Sequence, residues 1–304
     1  MRIGTTAAVG ADRLIGMLAS LCESMGGMLR TSLYKGDLVE LAERVPAASL
    51  APYVRRYTAW LDRGQRVVRR RHVPRGTIPL IFNFDARVRL FRGDGWTEHC
   101  SFTAGLHDIV TISESAGPNL GVQVDFTAPG GRLFYDRPLG ELANRSVAAV
   151  DAAGPSMDRL ASKLFDARTW DERFEILDAE ITSRIAAARP LAPAMDWSWQ
   201  QLTRSDGAAR VADLVREIGW SERHFAATFR REFGLRPKTV ARVLRFGRAI
   251  ALLSDKDTTS LTALAVESGY YDQSHFNRDF LQFAGVTPGA LIDKRHVSAP
   301  GFEA

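Results

Sequence analysis

The sequence predicts an α+β chain: an N-terminal part rich in β-strands with flanking helices, then an all-α domain of two helix-turn-helix units joined by a long helix. Three observations predict it. From Pro52 onward, short runs of Val, Ile, Phe and Thr alternate with Gly, Pro, Asp and Asn, the spacing of a small sandwich or barrel. Between residues 156 and 188 the apolar period lengthens to that of helices. One motif then occurs twice, as G-W-S-E-R-H-F-A-A-T-F-R-R-E-F-G-L-R-P from Gly219 and as G-Y-Y-D-Q-S-H-F-N-R-D-F-L-Q-F-A-G-V-T-P from Gly269. His224, Phe225, Phe229, Gly234 and Pro237 recur as His275, Phe276, Phe280, Gly285 and Pro288, each displaced by 51 positions (275 − 224). Several residues recurring in one register are the mark of an internal duplication.

In chain order, residues 1–50 read as an extension, partly helical or disordered. Leu14 to Leu29 form a candidate helix broken by Gly26 and Gly27, and Met17, Met25 and Met28 leave open a natural start downstream of Met1. Leu14–Cys22 faintly resembles a signal-peptide core, but Asp12 stands before it and no small-residue cleavage pattern follows. Residues 51–190 carry the β-rich domain, with strands expected at Arg66–Val68, Pro79–Phe84, Val88–Phe91, Phe102–Gly105, Ile109–Ile112 and Val122–Phe126. Gly93-Asp94-Gly95 has the composition of a hairpin turn. Arg66, Arg69, Arg70, Arg71 and Arg75 cluster here. They read first as exposed strand and turn residues, with an anionic small ligand or a phosphate contact as the functional alternative. Thr169 followed by Glu172 is a capping-box signature, and the helix behind it sets Phe174, Leu177, Ile181 and Ile185 on one stripe. That stripe is expected to pack on its own domain, a dimer seam being the alternative. Pro190 and Pro193 stop the helix and mark a linker at 191–196.

Residues 197–295 are helical, and 296–304 form a tail. In each repeat an apolar helix (Val211, Leu214, Val215, Ile218; then Leu261, Leu264, Ala265) runs into Gly219 or Gly269, where glycine supplies the left-handed conformation of a turn. Ser221 or Asp272 then caps a second helix, which buries phenylalanines at i and i+4. Gly234 and Gly285 stop it, and Pro237 and Pro288 suit the first turn of the next helix. Between the repeats, Pro237 to Ser254 form one amphipathic pattern, a rod of about 25 Å at 1.5 Å per residue. Such a rod can set two recognition helices about one DNA turn, near 34 Å, apart.

The outward residues point to DNA. Arg223, Arg230 and Arg231 project from the first unit, Gln273, Ser274, Asn277 and Arg278 from the second, and Arg, Asn and Gln pair with base edges. The chain's net charge is +5, yet residues 222–248 alone carry eight basic groups against Glu222 and Glu232 (8 − 2 = +6), a cluster able to neutralise phosphates. Helical-solenoid repeats used as a protein-interaction adaptor are the alternative, and two copies are fewer than a solenoid needs. No apolar run reaches membrane-spanning length. Two cysteines, Cys22 and Cys100, exclude a disulfide framework and a four-thiolate zinc site, and suit a reducing cytoplasm. A metal-dependent enzyme would need converging histidines. His72, His99 and His107 are scattered, and Glu98 and His99 are adjacent, so they would face opposite ways on a strand. No catalytic residue, metal or cofactor is expected.

The last hundred or so residues resemble the DNA-binding domain of AraC/XylS-type transcriptional regulators. The resemblance is carried by S-E-R-H-F-A-A-T-F-R-R-E-F-G-L-R-P, V-L-R-F-G-R-A-I-A-L-L and A-V-E-S-G-Y-Y-D-Q-S-H-F-N-R-D-F, over about a third of the chain. It implies base contacts from Arg223, Ala226 and Ala227 in the first unit and from Gln273, Ser274, Asn277 and Arg278 in the second. Alanine offers a base only contact with a thymine methyl, so the second unit holds most of the polar equipment. Arg230, Arg231, Lys238, Arg242 and Arg245 are expected at phosphates or in connector-helix contacts. Arg236 stands where the family commonly places a capping Ser or Thr, whereas Thr287 keeps that role. The resemblance further implies a cupin-like sensor upstream that binds a small effector, duplex DNA as partner, and RNA polymerase and a second copy of the chain as further partners. It names no effector-binding residue.

Overall fold

The computed structural model describes residues 27–34, 37–84, 86–92, 95–255, 260–293 and 302–303. Two antiparallel sheets make up the N-terminal domain. The larger has the order β1-β2-β3-β10-β5-β8-β11 and the smaller β12-β4-β9-β6-β7. Their strands are β1 (Gly27–Tyr34), β2 (Asp37–Arg44), β3 (Val54–Asp62), β4 (Val67–His72), β5 (Ile78–Asn83), β6 (Val88–Phe91), β7 (Trp96–His99), β8 (Ser101–Ala104), β9 (Thr111–Ala116), β10 (Asn119–Phe126), β11 (Ser146–Ala148) and β12 (Phe302–Glu303).

The sheet begins well before residue 51, which corrects the expected extension. β2 pairs with β3 in the register Val39↔Asp62 to Arg44↔Tyr57, and β1 pairs with β2. The candidate helix at Leu14–Leu29 ends in strand at Gly27, and its earlier part, with Met17, Cys22 and Met25, lies outside the described residues. D-L-V-E-L-A-E-R is poor in β-branched and aromatic residues and lacks clean alternation, so only its pairing partner identifies it as a strand. β6 and β7 pair across the expected hairpin, of which Gly93 and Asp94 lie outside the described residues. The tail, expected at 296–304, pairs Phe302 with Arg71 and Glu303 with Arg70.

The larger sheet is covered on both faces. Tyr57, Ala59, Leu80, Phe82, Val124 and Phe126 point into the core. There they meet helices α1 (Ala128–Phe134), α2 (Ala149–Ala153), α3 (Ser156–Asp166) and α4 (Trp170–Ala187). Thr169 caps α4 by accepting the N–H of Glu172, and the stripe of Phe174, Leu177 and Ile181 is buried within its own domain, with Phe174 stacked on Tyr57. The other face of the sheet looks at the smaller sheet across a cavity.

The helical domain starts at Pro193, inside the expected linker, with α5 (Pro193–Arg204). The first unit comprises α6 (Val211–Ile218) and α7 (Glu222–Phe233), and α8 (Pro237–Asp255) is the connector. The second unit comprises α9 (Leu261–Glu267) and α10 (Gln273–Ala284), followed by α11 (Pro288–Asp293). The capping chemistry is as the repeat implies. Ser221 accepts from His224 N–H and Asp272 from His275 N–H, while Gly219 and Gly285 end their helices at φ 76° and 67°. None of the described helices is long and apolar enough to cross a membrane.

Two of the three hydrophobic clusters among the described residues divide the molecule unevenly, the third being Val88, Leu90 and Phe102. One runs without a break from Tyr57 and Phe126 of the sheet through Phe174 and Trp199 to Phe225, Phe229 and Phe233 of the first unit. The other holds the second unit: Val243, Phe246, Leu264, Phe276, Phe280 and Phe283. The first unit is also tied to the β-rich domain by polar bonds. Arg132 Nε on α1 donates to Glu232 Oε2 on α7 at 2.9 Å, with both side chains about nine-tenths buried (9% and 10% exposed). Leu139 N–H donates to the Glu232 carbonyl at 3.0 Å. Burial alone would raise the Glu232 pKa, but hydrogen bonds from Arg132 and Arg231 outweigh it and hold the carboxyl below its usual range. Arg132→Ala is therefore expected to cost about 3 kcal/mol, the low end for a broken buried pair, since Arg231 stays bonded to Glu232. Chemical denaturation of the full chain checks this, and a loss under about 1 kcal/mol would make the pair a surface-type contact.

Candidate nucleic-acid interface and cavity

The two recognition helices present different surfaces. On α7, Arg223, Ala227 and Arg230 are exposed and Ala226 is half-buried. Arg231 is exposed but donates to Glu232 Oε1 at 2.9 and 3.0 Å. On α10, Ser274, Asn277 and Arg278 are exposed, while Gln273 is half-buried and accepts from Thr262 Oγ1 at 2.9 Å. Among the described residues, Arg278 hydrogen-bonds only to the Ser274 carbonyl of its own helix, at 3.4 Å. The polar side chains expected at base edges thus share one open surface on the second unit.

Of the cations expected at phosphates or on the connector, Lys238 is exposed. Arg242 and Arg245 are committed to protein instead. Arg242 Nη2 donates to the fully buried Asp279 carboxylate at 2.5 Å and to Gln282 Oε1 at 2.7 Å. Arg245 Nη1 donates to the Gly207 carbonyl at 2.6 Å and lies over the Tyr270 ring. Both cations hold the connector to its neighbours, the connector-helix alternative of the two expected for them. Asp279 is the cause, and the repeat could not announce it because the first unit has Thr228 at that position.

Tyr271 was not signalled by the sequence and is 92% exposed. Trp220 packs on His224 in the first turn and Tyr270 packs on His275 in the second, at centroid distances of 4.5 and 5.3 Å. Tyr271 is the residue inserted between that packing aromatic and the helix cap, so the second turn extrudes it beside the start of α10. The offset between the glycines (269 − 219 = 50) against that between the histidines (275 − 224 = 51) is the signal that could have found it.

The cavity between the two sheets, of roughly 150 Å³, is lined by alternate residues of the facing strands, such as Arg70 and His72 on β4 and Thr111 and Ser113 on β9. Apolar walls come from Trp60, Leu90 and Phe102. His72 and His107, distant in sequence, line the same cavity, whereas His99 on β7 bonds Thr97 and packs on Phe102. No group of three or more His, Cys, Asp or Glu able to hold a metal occurs among the described residues. The exposed Cys100 is free. Burial first, then the neighbouring arginines, push His72 down to about 3 and His107 to about 4. Both stay neutral when folded and take up protons on unfolding near the ordinary histidine pKa of about 6.5. Their share of stability is complete above that value and drains away as pH falls towards about 4. Denaturation is expected to show a less stable protein at about pH 5 than at about pH 7.5, and equal stability at both would contradict the neutral assignment.

Residues 214–294 match the family model of a helix-turn-helix domain. Residues 42–148 match that of a domain of unknown function, DUF6597. A comparison with curated protein sequences yields no match. Among solved structures the chain is similar to ToxT from Vibrio cholerae, at 11% identity and a TM-score of 0.47 over 78% of this chain and 98% of that one. It is also similar to ToxT of Vibrio cholerae strain SCE256 with unsaturated fatty acid bound, at 10% identity and a TM-score of 0.44 over 74% and 94%. The AraC-like transcriptional activator CuxR follows at 13% identity and a TM-score of 0.32 over 78% and 91%. The family match, falling on two units that share one connector helix, makes residues 214–294 a double helix-turn-helix domain, the architecture that the resemblance to AraC/XylS-type regulators implies.

Proposed function

We propose that the chain is a sequence-specific regulator whose second helix-turn-helix unit is controlled from the cavity by a small effector. One observation carries the reading. Val73, 5% exposed, belongs to the cavity wall and at the same time to the hydrophobic cluster of the second unit. Further contacts run alongside it. On β4, Arg70 and His72 face the cavity while Arg71 between them turns outward, and its Nη1 donates to the Ala284 carbonyl at the end of α10 at 2.8 Å. Gln282 Nε2 donates to the carbonyl of Asp108, next to the cavity residue His107, at 3.4 Å. Successive residues of a strand point to opposite faces, so one strand can register a ligand on one side and bear on the DNA reader on the other.

In this reading the first unit is fixed to the β-rich domain by the continuous core, and the second is the part whose placement can change. A connector of 19 residues spans about 28 Å, which suits two neighbouring major-groove contacts on one face of a duplex. Arg278, Asn277, Ser274 and Gln273 read base edges, with Arg223 in the first unit and Ala226 and Ala227 restricted to methyl contacts. Arg230, Lys238 and the Tyr271 hydroxyl approach the phosphate backbone, as residues flanking a recognition helix do.

Arg278→Ala is expected to cost about 1–3 kcal/mol in DNA binding and relax the preference at one base pair; uniform weakening across sequences would remove its base-reading role. The coupling has its own measurement. Arg71 lies off the proposed DNA surface, yet Arg71→Ala is expected to change DNA affinity at least about threefold, within the usual range of coupling energies. Footprinting and titration of the intact chain at low salt read both, and an affinity indifferent to Arg71 would disconnect the cavity from the reader.

A further inference from the structure

The charges lining the cavity do not balance. Four guanidiniums, those of Arg56, Arg70, Arg75 and Arg92, line the cavity with two carboxylates, Asp62 and Asp125, and Glu43 lies 3.5 Å from Arg56. Each carboxylate already has a cation. Arg56 Nε donates to Asp125 Oδ2 at 3.0 Å, and Arg70 Nη2 lies 3.6 Å from Asp62 Oδ2. The cavity histidines add nothing, since burial keeps both neutral near pH 7. Arg75 is the group left over. It forms no hydrogen bond or ion pair with the described residues. Its side chain is exposed, yet desolvation, then the charge of Arg56, lowers its pKa against the attraction of Asp125 and Glu43. A guanidinium beside another guanidinium, with Asp125 and Glu43 near but neither bonded to it, keeps its hydrogen-bonding fork free for an anion. Its planar fork matches the geometry of a carboxylate or phosphate.

Two acceptors in the same cavity also lack partners. The Asn83 amide nitrogen donates to the Cys100 carbonyl, leaving Asn83 Oδ1 buried and unbonded. His107 Nδ1 lies 3.4 Å from the Gly105 carbonyl, which requires the proton on Nδ1 and leaves the buried, unbonded Nε2 as an acceptor. Buried acceptors left unbonded cost about 1–3 kcal/mol each, so both call for donors from whatever enters. With guanidiniums around it, the donor is a hydroxyl rather than an ammonium.

We propose that the cavity binds a small hydroxylated organic anion, its carboxylate or phosphate held by Arg75 and its hydroxyl groups donating to His107 Nε2 and Asn83 Oδ1. Trp60 and Phe102 supply flat apolar walls for its carbon skeleton. This rests on the reading of the cavity as the effector site, and it adds where the ligand would pull. Arg75 stands two residues after Val73 of the second unit's cluster and next to Gly76, where an added Cβ would lie 3.1 Å from Leu244 of the connector. An anion on Arg75 therefore engages the loop that touches both the connector and the second unit.

The full chain is titrated calorimetrically with gluconate, glucose 6-phosphate, glucose and hexanoate, in a buffer free of other oxyanions. Gluconate, glucose 6-phosphate or both are expected to bind at least about tenfold more tightly than glucose and hexanoate, the size of one charge-assisted contact. The first two probes separate a carboxylate from a phosphate ligand. Arg75→Met is expected to erase that preference and, without ligand, to melt at a higher temperature than the native chain. Arg69→Met removes a charge from the preceding strand, β4, outside the cavity and is expected to leave binding intact. Equal binding of glucose or hexanoate, no binding of either anion, anion affinity retained in Arg75→Met, or a lower melting temperature for that variant would each overturn the assignment. DNA titration in parallel keeps the two readings apart. Anion binding that leaves DNA affinity unchanged sinks the effector role alone, whereas glucose or hexanoate altering DNA affinity sinks the anion class alone.

Discussion

The continuous hydrophobic core between the larger sheet and the first helix-turn-helix unit is the constraint on which the rest of the molecule depends. Phe225, Phe229 and Phe233 lie in the same cluster as Phe174, Phe126 and Tyr57, so the first unit cannot leave the β-rich domain without opening a core. Close-packed interiors resist such partial separation. The Arg132–Glu232 pair sits at this junction and specifies its geometry more than its strength, because both groups had to be stripped of water to meet. With the first unit held in this way, the second occupies a cluster of its own around Phe276, Phe280 and Phe283.

The duplication has diverged along the same line. In the first copy the surface of α7 carries alanines, and its end is buried against the β-rich domain through Leu139. The second copy keeps Ser274, Asn277 and Arg278 open to solvent and adds Tyr271 to its turn. Asp279 replaces Thr228 and recruits Arg242 from the connector. A charge pair at a buried position fixes how the second unit sits on the rod. One copy thus serves attachment and the other offers the polar surface, although both are built from the same helix caps and the same phenylalanine spacing.

The cavity follows from how the two sheets share residues. Each strand sends alternate side chains inward, and the inner positions of β4 and β9 are Arg, His, Thr and Ser instead of aliphatic residues. A sandwich interior normally closes on apolar side chains. Filled with guanidiniums and imidazoles, this one stays open, and its polarity is what leaves Asn83 and His107 with unmet bonding capacity.

The helical third was legible because everything that defines it acts over a few residues. Caps at Ser221, Thr169 and Asp272, left-handed turns at Gly219 and Gly285, and phenylalanines one turn apart are short-range features, and the structure has each in place. Strands carry less local information. Those with clear turn residues on either side were found within a few positions. β1, β2, β3, β7 and β11 were not: β2, for one, is poor in β-branched and aromatic residues and is identified only by its pairing with β3. What the sequence by itself determined was therefore the duplicated reader and its polar surface. Only the tertiary structure decided that His72 and His107 share a cavity, that Arg75 lines it without a bonded partner, and that Arg242 pairs with Asp279. The physical reason is range: helix caps and turns are set by neighbours in sequence, whereas cavity walls and buried pairs are set by strand register and domain packing between residues far apart in the chain.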